Sequence, residues 1–143
     1  MNQQHFDNYL LYQLAMVSNA LSSEFHNELS KHDIGPAAWR ILYCLWSTPD
    51  MRLTELARHV LYKQPRVTKR VAQLQEAGLV EKTVRDDDRR NVSLRLTQKG
   101  KKLVFPFIKK SIAHEAKIMS VLPQADRQKF RQSLLALIES LGQ

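Results

Sequence analysis

Apolar residues recur every three or four positions along most of the chain, a spacing typical of amphipathic helices. The first such stretch runs from about Phe6 to His32, and the helix-breaking run Ile34-Gly35-Pro36 follows it. Pro36 suits the first turn of a second helix, because its missing N–H is not needed there. The pattern therefore predicts one long helix over 6–32 and a second near 36–47.

The next two predicted helices are short and closely spaced. The Thr54 hydroxyl suits an N-cap, and the apolar residues after it predict a helix that ends near Leu61. Pro65 opens another helix, which ends at Gly78. Two short helices joined by a brief turn predict a helix-turn-helix.

Beyond Gly78 the apolar period changes to two, which is the alternation of half-buried strands. The face that the two strands share is predicted to contain Val80, Lys82, Val84, Val92, Leu94 and Leu96. Ser93 and Arg95 are expected to face the other way, and the charged run 86–91 forms the tip. A two-stranded hairpin directly after a helix-turn-helix predicts a winged helix.

Two further helices are predicted after the hairpin. Thr97 can cap one that runs to about Met119, and Pro123 begins the last one. The last helix carries a heptad-like row formed by Phe130, Leu134, Leu137 and Leu141. The predicted fold is therefore mainly α with a small β-hairpin, in which N- and C-terminal helices flank a winged helix-turn-helix.

Composition narrows the class of protein. The 143 residues are 43% hydrophobic and 25% charged, which fits one globular domain. No apolar run approaches the ~20 residues of a membrane span. The single cysteine, Cys44, excludes an intramolecular disulfide and a cysteine-cluster metal site. We therefore expect a soluble, cytoplasmic protein that does not associate with membranes.

Charge is concentrated in the middle of the chain. Residues 51–110 contain sixteen Lys and Arg against six Asp and Glu, a net +10, whereas residues 1–50 carry −3 and residues 111–143 carry +1. A basic segment between nearly neutral flanks is typical of a module that binds a polyanion, most commonly nucleic acid. A merely soluble basic surface is the alternative.

The helix after Pro65 has the pattern of a recognition helix. Val67, Val71 and Leu74 share one face, which is expected to be buried. The residues expected to contact DNA are Gln64, Pro65, Arg66, Thr68, Lys69, Arg70 and Gln73. Long donors such as Arg and Gln suit base edges in the major groove, and the helix N-terminus suits phosphate. A solvated basic face is the alternative interpretation.

The charged tip and the segments before it resemble a known family. The stretch from Asp88 to Gly100 is similar to the D-x-R…L-T-x-x-G wing signature of the MarR family of bacterial regulators. The segments Trp39-Arg40-Ile41-Leu42, Leu53-Thr54-Glu55-Leu56-Ala57 and 67–80 agree with it. The resemblance covers essentially the whole chain.

The resemblance implies a homodimeric repressor that binds double-stranded DNA at a palindromic operator and is relieved by a small ligand. It implies one MarR-type domain over 1–143, with dimerisation helices at about 1–34 and 98–143 and the DNA-binding lobe at about 36–97. Arg90 takes the minor-groove role in the wing, Asp88 braces it and Arg89 occupies the variable position between them. Thr54, in the first helix of the helix-turn-helix, is a further expected DNA contact. A nucleoid-associated location in a bacterial cytoplasm follows.

The sequence departs from the family at the turn. Many members have Gly there, whereas this chain has Leu61-Tyr62, and its recognition helix opens with Gln64-Pro65-Arg66. The operator sequence is therefore not implied by the resemblance.

The effector is expected to be a small organic molecule, and an aromatic carboxylate in particular. The candidate pocket residues are Tyr12, His26, Trp39, Arg40 and Tyr43, which offer aromatic walls and one cation. The alternative is that Trp39 and Tyr43 are core residues and that Arg40 is a structural ion-pair partner. No cofactor is expected.

Other functions are less well supported by the sequence. Cys44 lies in an apolar helix and is expected to be packed rather than redox-active. The histidines lack a close ligand pair, so no metal site is expected. The motifs of phosphate-binding loops, zinc proteases and serine hydrolases are absent, so no enzymatic activity is expected. A nonspecific architectural DNA-binding protein and a metal- or redox-responsive regulator remain the alternatives.

Overall fold

The computed structural model describes residues 7–84 and 92–142, and these ranges contain six helices and one two-stranded antiparallel sheet. The helices are α1 (Leu10–Ser30), α2 (Pro36–Ser47), α3 (Leu53–Val60), α4 (Gln64–Glu76), α5 (Gln98–Met119) and α6 (Gln124–Ser140). The strands are β1 (Val80–Val84) and β2 (Val92–Leu96). The predicted mainly α fold with a winged helix-turn-helix is confirmed.

The first helix is shorter than the predicted span 6–32. Its last turn closes when the N–H of Ile34 donates to the carbonyl of Leu29 at 3.2 Å, and Asp33 adopts a left-handed φ of 59°. This arrangement ends the helix before the Gly35-Pro36 pair is reached. Pro36 then begins α2, as predicted.

The hydrophobic core centres on α2, which packs against α3, α4 and β2. Its most completely buried side chains come from five helices: Leu29, Ile41, Leu42, Leu45, Leu56, Val60, Val67 and Val104. Burying each such side chain stabilises the fold by roughly 1.5–3 kcal/mol. The core therefore fixes the helix-turn-helix by apolar packing.

The start of α3 corrects one expectation. Thr54 is not the N-cap, because Arg52 occupies that position and its carbonyl accepts the N–H of Leu56 at 2.9 Å. Met51 forms a β-bridge to Leu94, so the chain leaves that bridge and enters the helix within two residues. Thr54 consequently lies inside the first turn of α3, with its side chain exposed.

The predicted hairpin is present, and its register places Val80 opposite Leu96 and Val84 opposite Val92. Its buried face narrows toward the tip, because Lys82 and Val84 are exposed. Ser93 was expected on the solvent side, but it is only 5% exposed. The opposite face is covered there, since the Thr83 hydroxyl lies 3.4 Å from both the Ser93 carbonyl and Asp50 Oδ1.

The chain divides into two compact units after Ile108. In the unit that follows, an ion pair joins Glu115 on α5 to Arg131 on α6. The predicted apolar row of α6 is exposed or half-buried within the single chain. In the unit that precedes, α1 likewise exposes large apolar side chains: Leu10, Leu11, Leu14, Met16 and Val17.

Candidate nucleic-acid interface

One face of α4 is anchored in the core and the other is open to solvent, as the sequence predicts. Val67, Val71 and Leu74 are buried. The opposite side carries Arg66 and Lys69, both exposed, with the remaining expected contacts exposed or half-buried: Gln64, Pro65, Thr68, Arg70 and Gln73. All the predicted DNA-contact residues of α4 therefore lie together on the solvent side of the helix.

The N-terminal turn of α4 offers few free backbone donors, because Pro65 has no N–H and the Arg66 N–H donates to the Lys63 carbonyl at 3.0 Å. Lys63 is its N-cap, and no side chain in the described part of the chain caps the helix. The positive end of the helix dipole still favours an anion at this turn. The Thr68 hydroxyl donates to the Gln64 carbonyl at 2.9 Å, so its free capacity is to accept, which suits an amino group on a base edge rather than a phosphate oxygen.

Two of the predicted donors are linked along the exposed face. Arg70 Nη1 donates to Gln73 Oε1 at 2.9 Å. The bond uses the amide oxygen of Gln73 and leaves its NH₂ group to donate elsewhere. The pair is thereby oriented before any ligand is present.

The turn between α3 and α4 holds a residue that the sequence analysis did not assign to the site. Leu61 adopts a left-handed conformation (φ 63°, ψ 30°), and Tyr62 follows it. The Arg66 Cζ lies 4.1 Å from the centroid of the Tyr62 ring, and the Arg40 Cζ lies 5.2 Å from it. Arg40 also donates from Nη1 to the Val60 carbonyl at 3.2 Å. The unusual Leu61-Tyr62 pair was the sequence signal for this contact.

The wing begins as the predicted hairpin, and Glu81 pairs with Arg95 across the strands at 2.8 Å. Both side chains are exposed, so the pair contributes well under ~1 kcal/mol. The predicted wing residues Asp88, Arg89 and Arg90 lie outside the described residues.

Four of the five candidate effector residues lie close together around α2. The centroids of the Trp39 and Tyr43 rings are 5.8 Å apart. The centroid of the Phe25 ring lies 5.2 Å from that of Trp39 and 6.5 Å from that of His26. The side chain of Trp39 is buried, whereas that of Tyr43 is largely exposed. Tyr12 lies fourteen residues before His26 on α1, about 21 Å along the helix. A single chain therefore does not bring Tyr12 into this group.

Within the described residues, His26 is the polar side chain of this group that lacks a hydrogen bond on one of its ring nitrogens. Its Nδ1 is buried and has no hydrogen-bond partner among residues 7–84 and 92–142. Burial lowers the pKa of His26, and the positive charge of Arg40 lowers that pKa further. The neutral imidazole is therefore favoured, next to a guanidinium that can pair with an anion.

Cys44 is half-buried and packs against the core. Burial raises the pKa of the Cys44 thiol, although the charge of Arg40 opposes that effect. A raised pKa disfavours the reactive thiolate. Among residues 7–84 and 92–142, no group of three or more His, Cys, Asp and Glu could hold a metal ion.

A cavity of about 310 Å³ lies between α4 and the hairpin, and sequence reasoning did not anticipate it. Its lining is mainly apolar, and the residues that form it are Leu53, Thr68, Val71, Ala72, Gln75, Lys82, Val92 and Leu94. These residues come from four separate elements, so no local sequence pattern marks the cavity.

Comparison with known proteins identifies the family. Residues 34–92 match the model of the MarR family. The transcriptional repressor IacR of Pseudomonas putida is 28% identical over 94 residues, an alignment that spans 66% of this chain and 56% of IacR.

In the part of the chain that the structure describes, none of the helices is both long and apolar enough to cross a membrane.

Solved structures extend the similarity to nearly the whole chain. The MarR family transcriptional regulator SPO1453 from Silicibacter pomeroyi is 32% identical, with a TM-score of 0.84 over 95% of this chain and 97% of that one. The structure of NadR in complex with 4-hydroxyphenylacetate is 26% identical, with a TM-score of 0.80 over 87% and 89% of the two chains. Together with the winged helix and the basic exposed face of α4, these matches show that the chain belongs to the MarR family of DNA-binding transcriptional regulators.

Proposed function

We propose that this regulator is a homodimeric, sequence-specific repressor that a small aromatic carboxylate releases from its operator. The observation that carries the DNA-binding part is the two-sided character of α4. Val67 and Val71 anchor the helix in the core, while Arg66 and Lys69 project into solvent from the opposite side. A helix held in this way can enter the major groove without disturbing the fold.

The exposed side chains of α4 divide into two roles by their chemistry. Arg66 presents a planar guanidinium suited to bidentate contact with guanine, and the amide of Gln73 suits adenine or another base edge. Lys69 and the positive end of the α4 dipole suit phosphate, whereas Thr68 can accept from a base amino group while its own proton stays on the Gln64 carbonyl. Thr54, exposed on α3, is a further candidate contact. On the family resemblance we assign Arg90 of the wing to the minor groove and Asp88 to bracing it, and Arg89 occupies the variable position between them.

A second copy of the chain is the proposed partner of the terminal helices. Leu10, Leu14 and Val17 on α1 are exposed in the single chain, and so are Phe130 and Leu137 on α6. Apolar patches of this kind are usually covered by a partner. A two-fold dimer presents two recognition helices, which then read the half-sites of a palindromic operator about one helical turn apart.

The proposed effector site is the group around α2. Arg40 supplies the cation for a carboxylate, the neutral His26 supplies a polar partner, and the Trp39 and Tyr43 rings supply aromatic surface. The similar protein NadR binds 4-hydroxyphenylacetate, an aromatic carboxylate. Tyr12 is too far from this group along its own chain, so it belongs to the site only if the second subunit supplies it. The repressor role follows the similar protein IacR, which is a transcriptional repressor.

Fluorescence anisotropy tests this proposal with a duplex taken from just upstream of the protein's own gene and a random duplex of equal length, at ~150 mM salt. We expect a preference of about 10³-fold or more for the upstream duplex. Addition of 4-hydroxyphenylacetate or a related aromatic carboxylate should release it, and the matching uncharged alcohol should not. Arg40→Met should lose this response.

Two other outcomes separate the alternatives. Equal binding to the upstream duplex, to other promoters and to random DNA would favour a nonspecific architectural protein. Strong operator preference that no aromatic carboxylate alters would retain the regulator and remove the proposed effector class.

A further inference from the structure

Tyr62 contacts a residue of the recognition surface although it lies outside α4. Its ring is 4.1 Å from the Arg66 Cζ and 5.2 Å from the Arg40 Cζ. The ring is partly buried and packs against the hydrophobic core. Arg40 is itself fixed by its bond to the Val60 carbonyl, at the C-terminal end of α3. The scaffold therefore restrains the surface on which Arg66 rests.

Arg66 has the most to gain from such a restraint. It is exposed in the first turn of α4, and ordering a long flexible side chain at an interface opposes binding. A guanidinium placed over an aromatic ring is attracted by the negative face of the ring. The contact confines the guanidinium while leaving its edge N–H groups able to donate to a base.

We propose that Tyr62 is a positioning residue for DNA reading, which holds the Arg66 guanidinium in the orientation that it needs at a base edge. This inference rests on the proposed sequence-specific binding and adds a residue to it. Tyr62 directly follows Leu61, which holds the left-handed conformation of the turn, and its ring lies against Arg66.

The test is a double-mutant cycle between positions 62 and 66, read as discrimination between operator duplexes. Each base pair of the operator is substituted in turn, and anisotropy gives the affinity of wild type, Tyr62→Phe, Tyr62→Leu, Arg66→Ala and the Leu/Ala double variant. Tyr62→Met replaces Tyr62→Leu if the latter does not fold by circular dichroism. Tyr62→Phe keeps the ring and serves as the matched control.

We expect Tyr62→Leu to lose about two- to fivefold of discrimination, the range of an exposed cation–π contact. The loss should fall at the base pairs at which Arg66→Ala also loses it, and it should vanish in the Arg66→Ala background. Tyr62→Phe should retain wild-type discrimination. Affinity for random duplex and its salt dependence should stay unchanged in all the position-62 variants.

The wild-type protein must first show a preference for its operator. Given that preference, the positioning role would be overturned if Tyr62→Leu kept full discrimination, or if its loss of discrimination added in full to that of Arg66→Ala. A wild-type protein with no operator preference would overturn the proposed function and, with it, this inference.

Discussion

Gly100, in the first turn of α5, packs directly against the backbone of Leu79, so that a β-carbon at position 100 would overlap the Leu79 carbonyl oxygen. The same oxygen accepts the Thr97 N–H at 3.0 Å. The Thr97 hydroxyl caps α5 by accepting the Gly100 N–H at 3.0 Å, and it donates to the Gly78 carbonyl. These contacts explain why threonine and glycine stand three residues apart in the L-T-x-x-G part of the wing signature.

Gly100→Ala is therefore expected to destabilise the fold by about 1–3 kcal/mol, as overpacking in a buried site does. The free energy of unfolding from urea denaturation measures it. Gly35→Ser is the matched control, because a β-carbon at position 35 meets no atom within 4 Å and Ser is a good N-cap. Equal midpoints for the two variants would contradict the close approach to Leu79.

Leu61→Gly is expected to stabilise the protein by about 1 kcal/mol, because Leu61 holds a left-handed φ of 63° that Gly adopts without strain. Little burial is lost, since Leu61 is 71% exposed. Leu61→Ala removes the same side chain but keeps the strain, so its unfolding free energy should change by less than about 0.5 kcal/mol. A gain in the Ala variant as large as in the Gly variant would show that backbone strain is not the reason.

The sequence predicted the elements that a local signal marks. Pro36, Pro65 and Pro123 indicated helix starts within one residue, and period-two alternation marked the two strands that contain Val80 and Leu96. Thr54 was assigned wrongly as a cap, because the bridge between Met51 and Leu94 sets where α3 begins, and that bridge joins distant parts of the chain.

The same distinction applies to the candidate site. The buried and exposed faces of α4 follow from helical spacing, so the exposure of Arg66 and Lys69 was predictable from the sequence. The ring of Tyr62 and the cavity beside α4 depend on how separate elements pack, and no spacing along the chain encodes that.

The stability of the protein is expected to fall as the pH drops below about 6.5, the ordinary pKa of histidine. Burial and Arg40 lower the pKa of His26 in the folded protein, so the unfolded chain binds the proton more readily in this range. The loss of stability is complete below the pKa of His26 in the folded protein. It disappears as the pH rises past the pKa of this histidine in the unfolded chain. His26→Gln should flatten the curve of unfolding free energy against pH between 5 and 7.5.

Arg40→Met should flatten the same curve in part, because Arg40 is the smaller of the two causes that lower the pKa of His26. An unchanged slope in His26→Gln would show that another group governs the acid sensitivity.

Arg90→Ala is expected to weaken operator binding by more than about tenfold, because a wing arginine in a narrow minor groove makes a strong electrostatic contact. Arg89→Ala, at the variable position of the signature, removes the same charge one residue away and should cost less. Anisotropy measures the affinities, and sedimentation checks that both variants have the wild-type assembly state. If both variants lost the same operator affinity, the wing would act only as a general basic patch and Arg90 would have no specific role.

The most direct test of DNA reading by α4 compares Arg66→Ala with Lys69→Ala on a set of singly substituted operator duplexes over a range of salt. Arg66→Ala should lose about 1–3 kcal/mol of discrimination at particular base pairs, while Lys69→Ala should weaken all duplexes alike and reduce the salt slope by about one. If the two variants lose the same affinity on every duplex with the same salt slope, α4 does not read bases through Arg66, and the account of sequence-specific recognition is wrong.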